Sequence, residues 1–594
     1  MAYELTYPFN SEQILLKKKS LRRKLVADGS DRIRKKIAIL GGSTTAEIKN
    51  ILELFLLNYG VEPTFYESEF DQYWQDAMFG DDLRQFAPDI VFIHTTSRNV
   101  SGWPSLGNSA EEVSAMLDEQ FSRFSAMWRR LSEDLGRPII QNNFERPAFR
   151  LLGNQDVSNC CGRTNYISRL NQKLYEYAEA HDSFFINDID YLSASFGLEK
   201  WADPFYWHMY KYALATPAIP QFAFSVANII KSIFGKNKKA IAVDLDDTLW
   251  GGIVGDDGVD GLVIGQETPI GQAYSEFQAY LKELRKLGVI LNVISKNEYE
   301  NAVAGLNHPD GILKPDDFVV IKANWAPKSK NLSDMAEELT LLPESFVFLD
   351  DNPAEREIVR RQIPGVAAPD IDQVERYISA IDRAGFFEAT VMSADDQSRA
   401  EMYKKNVARA RTQIEFADYH EFLLSLNMTA TIAEFEPLYM SRIAQLTNKS
   451  NQFNLTTKRY AAGEIEAAAK DESYITLYGK LADKFGDNGV VSAVIGRIEG
   501  KVLHIELWIM SCRVLKRDME FAMMDELVAA CARRGIKTII GYYYPTAKNA
   551  IVKEFYAEQG FDKQSENDAG NTIWTFEINP DYKNKQNVIR VNIT

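Results

Sequence analysis

Residues 239–249 read KAIAVDLDDTL. A short apolar run ends at Val243 and is followed at once by Asp244, then by Asp246 and by Asp247-Thr248. In extended chain, positions i and i+2 face the same side, so the carboxylates of Asp244 and Asp246 can address one site. In an open parallel sheet, ligands bind at the carboxyl end of the strands, which is where this strand delivers its acids. A DxD pair alone carries little information; a buried strand running directly into DxDDT is far more specific.

Three further stretches fit in order. VILNVISKN (289–297) is a predicted strand ending at Ser295, a hydroxyl donor, with Asn297 just beyond. WAPKSKN (325–331) offers Lys328 just before a predicted helix, and SFVFLDDNP (345–353) is a strand ending in Asp350 and Asp351. Each has an ordinary reading: a helix cap, a solvated lysine, an N-cap. Together they place acid, hydroxyl, amine and acid at successive strand ends.

The pattern extends on both sides. KIAIL (36–40), DIVFIH (89–94) and RPIIQ (137–141) are buried-strand patterns separated by helical ones, which predicts a parallel sheet ahead of the central one. The polar run at 234–239 is expected to be a linker. Beyond residue 370 the chain turns helical and charged. After about 426 it mixes strands at 490–498, 502–510 and 538–541 with helices at 519–534 and 550–559.

Composition bounds the function. The chain has 594 residues, 45% hydrophobic and 25% charged, with net charge −16. That length accommodates three or four domains at roughly 150 residues each. The composition is that of a folded protein, and the acidic balance argues against a broad nucleic-acid surface. A small phosphorylated substrate remains open, since it needs only a local positive pocket. Four cysteines (Cys160, Cys161, Cys512 and Cys531) form neither a disulfide framework nor a zinc spacing. No signal-peptide pattern and no membrane-length apolar run is present, so a cytoplasmic protein without membrane contact is expected.

The four central stretches resemble the haloacid dehalogenase (HAD) superfamily of phosphoryl-transfer enzymes. By that resemblance Asp244 is the nucleophile and Asp246 the acid and base. Ser295, Asn297 and Lys328 bind the transferring phosphoryl group, and Asp244, Asp246 (through its backbone carbonyl) and Asp350 hold Mg²⁺. The short span between Asp244 and Ser295 leaves room only for a minimal cap. Physical chemistry supports these roles: clustered carboxylates need a divalent cation with oxygen ligands, and a carboxylate attacking an anionic phosphate needs its charge screened.

DLDDTLWGGIVGDDG (244–258), FLDDNPAERE (348–357), TNKSNQFNLTTKRY (447–460), DKFGDNGVVS (483–492), MSCRVLKRDME (510–520) and YYYPTAKNAIVKEFY (542–556) are similar to the FkbH-like branch, HAD subfamily IIIC, in its long form. That resemblance implies transfer of a glyceryl unit from a phosphoglyceryl donor such as 1,3-bisphosphoglycerate, with phosphate removal, to an acyl carrier protein. The pathway would build a secondary metabolite or a surface polysaccharide. The last segment resembles a GNAT-type acyltransferase. Its phosphate loop, around Cys512 to Glu520, lacks glycine, so a phosphopantetheine arm on a carrier is expected in place of coenzyme A. Cys512 is the candidate acyl carrier, with Arg513, Lys516 and Arg517 expected to lower its pKa and Arg513 to bind substrate. His504 lies eight strand positions away, about 26 Å at about 3.3 Å per residue, and is not its partner. Cys531 falls within a helix, as a core residue would.

The first segment resembles the SGNH hydrolases. Ser43 sits where that family's nucleophile sits, Asn99 where its oxyanion-hole Asn sits, and Asp203 with His208 where its late Asp-His pair sits. Gly42 stands where the family has Asp. The expected architecture is therefore α/β in three domains. These are an SGNH-like flavodoxin-type sheet (1–235), a HAD Rossmann-like parallel sheet with minimal cap (236–375), and a helical connector with a GNAT-like mixed α/β domain (376–594). Two alternatives stand beside the phosphatase–acyltransferase reading: a stand-alone phosphomonoesterase with non-catalytic flanks, and a docking protein of a biosynthetic assembly.

Overall fold

Strand Ala240–Val243 forms as predicted, with all of its residues buried. The structure is a computed structural model. It describes the chain apart from residues 1–2, 31, 391–398, 414–415, 417, 451, 547 and 594, and apart from the side chains of 410, 411, 449, 512 and 593. The chain divides into two compact units, Met1–Ile233 and Phe234–Thr594. No helix among the described residues is long and apolar enough to cross a membrane.

In the first unit, five parallel strands run in the order Val61–Glu67, Ile33–Gly41, Ile90–His94, Ile139–Asn142, Phe184–Asn187. This is the flavodoxin-type order expected from the sequence. Helices cover both faces, which is why the central strands read as unbroken apolar runs. On one face Ala110–Leu135 and Arg163–Glu179 pack with Trp128, Phe124 and Tyr166 against Leu40, Val91 and Ile93. Ser109 and Glu112 close a capping box at the start of the longer helix, and Gly136 in the left-handed region ends it. Ala46–Asn58 and Ile219–Ile233 pack against each other.

The second unit opens with a four-stranded parallel sheet ordered Val320–Ala323, Ile290–Ser295, Ala240–Val243, Phe346–Leu349. The polar run before it is not a free tether. Lys238 donates from its backbone to the Phe386 carbonyl at 3.0 Å and from its ammonium to the Glu344 and Gly365 carbonyls at 2.7 and 2.8 Å. A lysine stem can lie along apolar surface while its head finds carbonyls, which composition alone does not reveal.

A nine-stranded mixed sheet follows. Helix Met519–Arg533 packs on one face and Met440–Lys449 with Ala462–Lys470 on the other. Strand Val502–Met510 runs parallel to Thr538–Tyr543 only over Val502–His504, after which the short strand Phe453–Asn454 pairs with Ile509 and Met510. The helix expected at 550–559 is instead a 3₁₀ turn, Ala550–Val552, and a short helix, Phe555–Glu558.

Helix Arg399–Gln413 is joined to this sheet by a buried ion cluster. Asp483, fully buried, accepts from Arg409 at 2.8 Å and from Arg517 at 3.1 Å. Arg517 also donates to Asn406 at 3.0 Å and to the Arg513 carbonyl at 2.6 Å. Removing one partner of such a cluster leaves buried charge uncompensated, which costs about 3–5 kcal/mol. Asp483→Asn is therefore expected to lower the urea midpoint of the second unit by an amount equivalent to about 3–5 kcal/mol; a shift below about 1 kcal/mol would show that the cluster contributes little.

Candidate active site

The strand register builds the site. Val243 lies beside Leu349, so the next residues, Asp244 and Asp350, leave the sheet side by side. The Asp244 N–H donates to the Leu349 carbonyl at 2.9 Å and holds that alignment past the last sheet pair. Lys328 begins helix Lys328–Glu338 and reaches back between them. Its Nζ donates to Asp244 Oδ2 and to Asp350 Oδ2, both at 2.6 Å. Asp244, Lys328 and Asp350 are 7%, 4% and 0% exposed, so this is a buried, three-membered charge cluster.

Burial, the largest influence, pushes the Asp244 carboxyl up to about 7; Lys328 pulls it down and the Asp350 charge pushes it up again. Burial alone would depress the Lys328 ammonium, but Asp244 and Asp350 outweigh it and hold it above its ordinary value. Burial and then the charge of Asp350 raise Asp351. Two carboxylates against one ammonium leave a net negative centre, and Asp351 adds to it.

The loop after Leu349 is fixed from several directions. Asp350 Oδ1 accepts from the Asn352 N–H at 2.9 Å. The Thr248 hydroxyl donates to Asp351 Oδ1 and accepts from the Asp351 N–H, both at 3.1 Å. Arg356, 2% exposed, donates to the carbonyls of Asp350, Asp351 and Ile371 at 2.8, 2.7 and 3.1 Å. Neither Thr248 nor Arg356 was singled out in the sequence; Arg356 in FLDDNPAERE lies one helical turn past Asn352, where a buried arginine can turn back to the loop carbonyls.

Asp246 sits apart from the ammonium. Its carboxylate accepts from Trp250 Nε1 at 3.1 Å, the Val254 N–H at 3.0 Å and Asn297 Nδ2 at 3.0 Å. Asn297, expected to bind substrate, thus holds Asp246. Between the two acids and this brace the chain turns at Asp247, with φ of 54°, and the Asp247 carboxylate accepts from the Gly252 N–H at 2.8 Å. Ser295 ends the neighbouring strand, buried, at the same edge of the sheet, its carbonyl accepting from the Asn324 N–H at 3.2 Å.

One carboxylate oxygen each from Asp244, Asp350 and Asp351 lie within 4.8 Å of one another. An all-oxygen anionic set suits a hard divalent cation, so the residues fit the expected Mg²⁺. Asp351 joins this set, whereas the Asp246 side chain, bonded to its three donors, does not.

The flanking candidates are placed differently. Ser43 is buried and its Oγ has no hydrogen-bond partner among the described residues. Asp203 caps helix Pro204–Tyr210, accepting from the Phe205 N–H at 2.9 Å, and His208 is exposed in the last turn of that helix. Among the described residues no hydrogen bond joins Ser43, Asp203 and His208. Asn99 lies against Gly42, donating to its carbonyl at 2.9 Å. His94, which the sequence reading passed over, is fully buried; its Nδ1 meets Asn142 Nδ2 at 3.0 Å, and burial pushes its pKa down to about 3.

Cys512 begins a 3₁₀ turn, Cys512–Val514, and its side chain lies outside the described residues. Arg513 donates to the Ser511 hydroxyl at 3.1 Å, and Arg517 donates to Asp483, to Asn406 and to the Arg513 carbonyl, so its donors are engaged within the ion cluster. His504 meets the hydroxyl of Tyr542, on the neighbouring strand, at 2.9 Å. Cys531 is buried in helix Met519–Arg533, and burial pushes its thiol up to about 12, as for a core residue.

A parallel sheet with Asp244, Asp350 and Lys328 at its carboxyl edge defines a HAD-type phosphatase fold. Residues 36–231 match the family model described as FkbH, N-terminal domain, so the FkbH-like resemblance read from the sequence holds. The solved N-terminal part of the protein BF1531 from Bacteroides fragilis, containing a phosphatase domain complexed with Mg, is 28% identical. It covers 63% of this chain and 99% of its own, with a TM-score of 0.57. The ribosomal-protein-S18-alanine N-acetyltransferase from Escherichia coli is 14% identical over 27% of this chain and 99% of its own, with a TM-score of 0.21. A phosphinothricin acetyltransferase of the GNAT superfamily from Sinorhizobium meliloti, in complex with AcCoA, is 13% identical over 25% of this chain and 89% of its own, with a TM-score of 0.22. No curated protein matches the chain in sequence. The FkbH and phosphatase matches support HAD-type phosphatase chemistry.

Lys328→Met removes the only ammonium bonded to Asp244 and Asp350 among the described residues. The variant is expected to melt well below wild type in EDTA and to recover more of that loss with Mg²⁺ than wild type gains. Equal Mg²⁺ shifts in differential scanning calorimetry would show that Lys328 and the cation site are uncoupled.

Proposed function

We propose that the chain is a Mg²⁺-dependent phosphatase that works through an aspartyl phosphate on Asp244. The observation that carries this reading is the Lys328 ammonium held between Asp244 and Asp350, with the Asp246 carboxylate braced two residues from the nucleophile. An Asp244 oxygen attacks phosphorus and the bond to the leaving oxygen breaks, that oxygen taking its proton from Asp246. Asp246 then accepts a proton from water as the water oxygen attacks phosphorus. The Asp244–phosphate bond breaks, releasing phosphate and the free carboxylate. Lys328 and the Ser295 hydroxyl steady the phosphoryl oxygens. Mg²⁺, held by Asp244, Asp350 and Asp351, supplies the charge neutralisation that lets an anion approach an anion.

The FkbH match supports a finer reading in which this step is coupled to acyl transfer. A phosphoglyceryl donor such as 1,3-bisphosphoglycerate would acylate Cys512, the remaining phosphate ester would be cleaved at Asp244, and the acyl group would pass to a carrier-protein thiol. The engagement of Arg517 by Asp483, Asn406 and the Arg513 carbonyl favours a second reading, because the donors of one cation expected to activate Cys512 are already in use: a phosphomonoesterase with non-catalytic flanks.

With p-nitrophenyl phosphate and Mg²⁺, Asp244→Asn is expected to abolish turnover and Asp246→Asn to lower kcat about 10²–10⁴-fold, the usual range for a general acid and base. Activity surviving Asp244→Asn would sink the aspartyl-phosphate mechanism. Intact mass after incubation with 1,3-bisphosphoglycerate separates the finer readings: a hydroxylamine-labile adduct lost in Cys512→Ala indicates acyl transfer, and phosphate release without an adduct indicates the phosphomonoesterase.

A further inference from the structure

Three neighbouring strands of the catalytic sheet each lead, at the carboxyl edge, into a loop or helix start bearing an exposed large side chain. Ile253, Tyr299 and Trp325 are 44%, 51% and 69% exposed, and they follow strands Ala240–Val243, Ile290–Ser295 and Val320–Ala323, which are adjacent in that order. Their neighbours touch the reaction machinery. The Val254 N–H braces Asp246, Asn297 does the same two residues before Tyr299, and Lys328 is three residues after Trp325. Exposed apolar side chains gathered at a ligand edge mark a contact surface.

Trp325 is held there. Its Nε1 donates to Glu298 Oε1 at 2.7 Å, tying the loop of one strand to the loop of the next. Asn324 fixes the backbone beneath it: its N–H donates to the Ser295 carbonyl at 3.2 Å, and its side-chain oxygen accepts from the Ala326 N–H at 2.9 Å and from Asn331 Nδ2 at 3.0 Å. An indole most exposed of the three yet anchored at its nitrogen offers a ring face at little further ordering cost. Its polar partner is a carboxylate, and Lys296 on the same loop is paired with Glu355 at 2.5 Å. What the indole has left to offer a ligand is its ring face.

We infer that Trp325 is a specificity-determining platform for the alcohol part of the substrate, which is an uncharged group presenting a flat or apolar face, attached to the phosphate that Asp244 takes. This rests on the phosphatase reading of the site in its phosphomonoesterase form, since a glyceryl group has neither a flat nor an apolar face. The test compares kcat/KM for 2-naphthyl phosphate and methyl phosphate in wild type, Trp325→Ala and Trp325→Phe, with Asp244→Asn alongside. The expected result is a naphthyl-to-methyl ratio that falls at least tenfold in Trp325→Ala, chiefly through KM, and returns to within threefold of wild type in Trp325→Phe. An unchanged ratio, or equal losses on both esters, overturns the inference while leaving the phosphatase reading intact. Hydrolysis that persists in Asp244→Asn, or is absent from wild type, overturns both. Should Trp325→Ala fail to fold, inhibition of wild type by 2-naphthol decides: competitive inhibition supports the platform, and none overturns it.

Discussion

The catalytic half of this protein depends on one ammonium group. Lys328 lies where two buried carboxylates from adjacent strands would otherwise face each other, and it bonds both. Without it, Asp244 would keep both influences that raise its carboxyl pKa, burial and the charge of Asp350, and would lose the ammonium that lowers it. With it, the pair remains close enough for a single cation to engage both. The ion cluster is consequently a structural element that also holds Asp244 and Asp350 beside each other at the sheet edge.

The sheet register does the rest of the positioning. Parallel strands in the order Val320–Ala323, Ile290–Ser295, Ala240–Val243, Phe346–Leu349 bring four chain segments to one edge, and the residue just past each strand inherits a defined neighbour. Asp246 is separated from this cluster and held by an indole, a backbone amide and a side-chain amide. Two acids two residues apart thus occupy different electrostatic settings: one buried beside an ammonium, the other surrounded by neutral donors. Such a difference is what two carboxyl groups with separate chemical roles would require.

The central strands and their terminal acids were legible because both signals are local: an unbroken apolar run, then charged residues at once. Ala240–Val243 and Val502–Met510 were read to the residue, whereas Val61–Glu67, Phe184–Asn187 and Tyr474–Asp483 were not read as strands at all. Asp351 was visible as a carboxylate but not as a member of the cation set, since only the pairing of its loop with Thr248 reveals its direction. Arg356, the brace on Asp246, and the Arg409–Asp483–Arg517 cluster were illegible for a common reason. Each joins residues whose closeness is a product of tertiary packing, and hydrophobic period carries no record of it. The same limit explains the polar run at 234–239, where composition suggested a tether but Lys238 finds carbonyls contributed from far along the chain.

The glycine before Ser43 carries an evolutionary consequence. A Cβ built on Gly42 would lie 2.3 Å from Asn99 Nδ2 and 2.5 Å from its Cγ, far inside any real contact. Asn99 has little freedom to withdraw, because its oxygen accepts from the Thr96 N–H at 3.0 Å while its amide holds the Gly42 carbonyl. A larger residue could enter position 42 only by displacing the Asn99 amide from both of these partners, so a step toward an Asp-Ser loop would first loosen the turn that Asn99 closes.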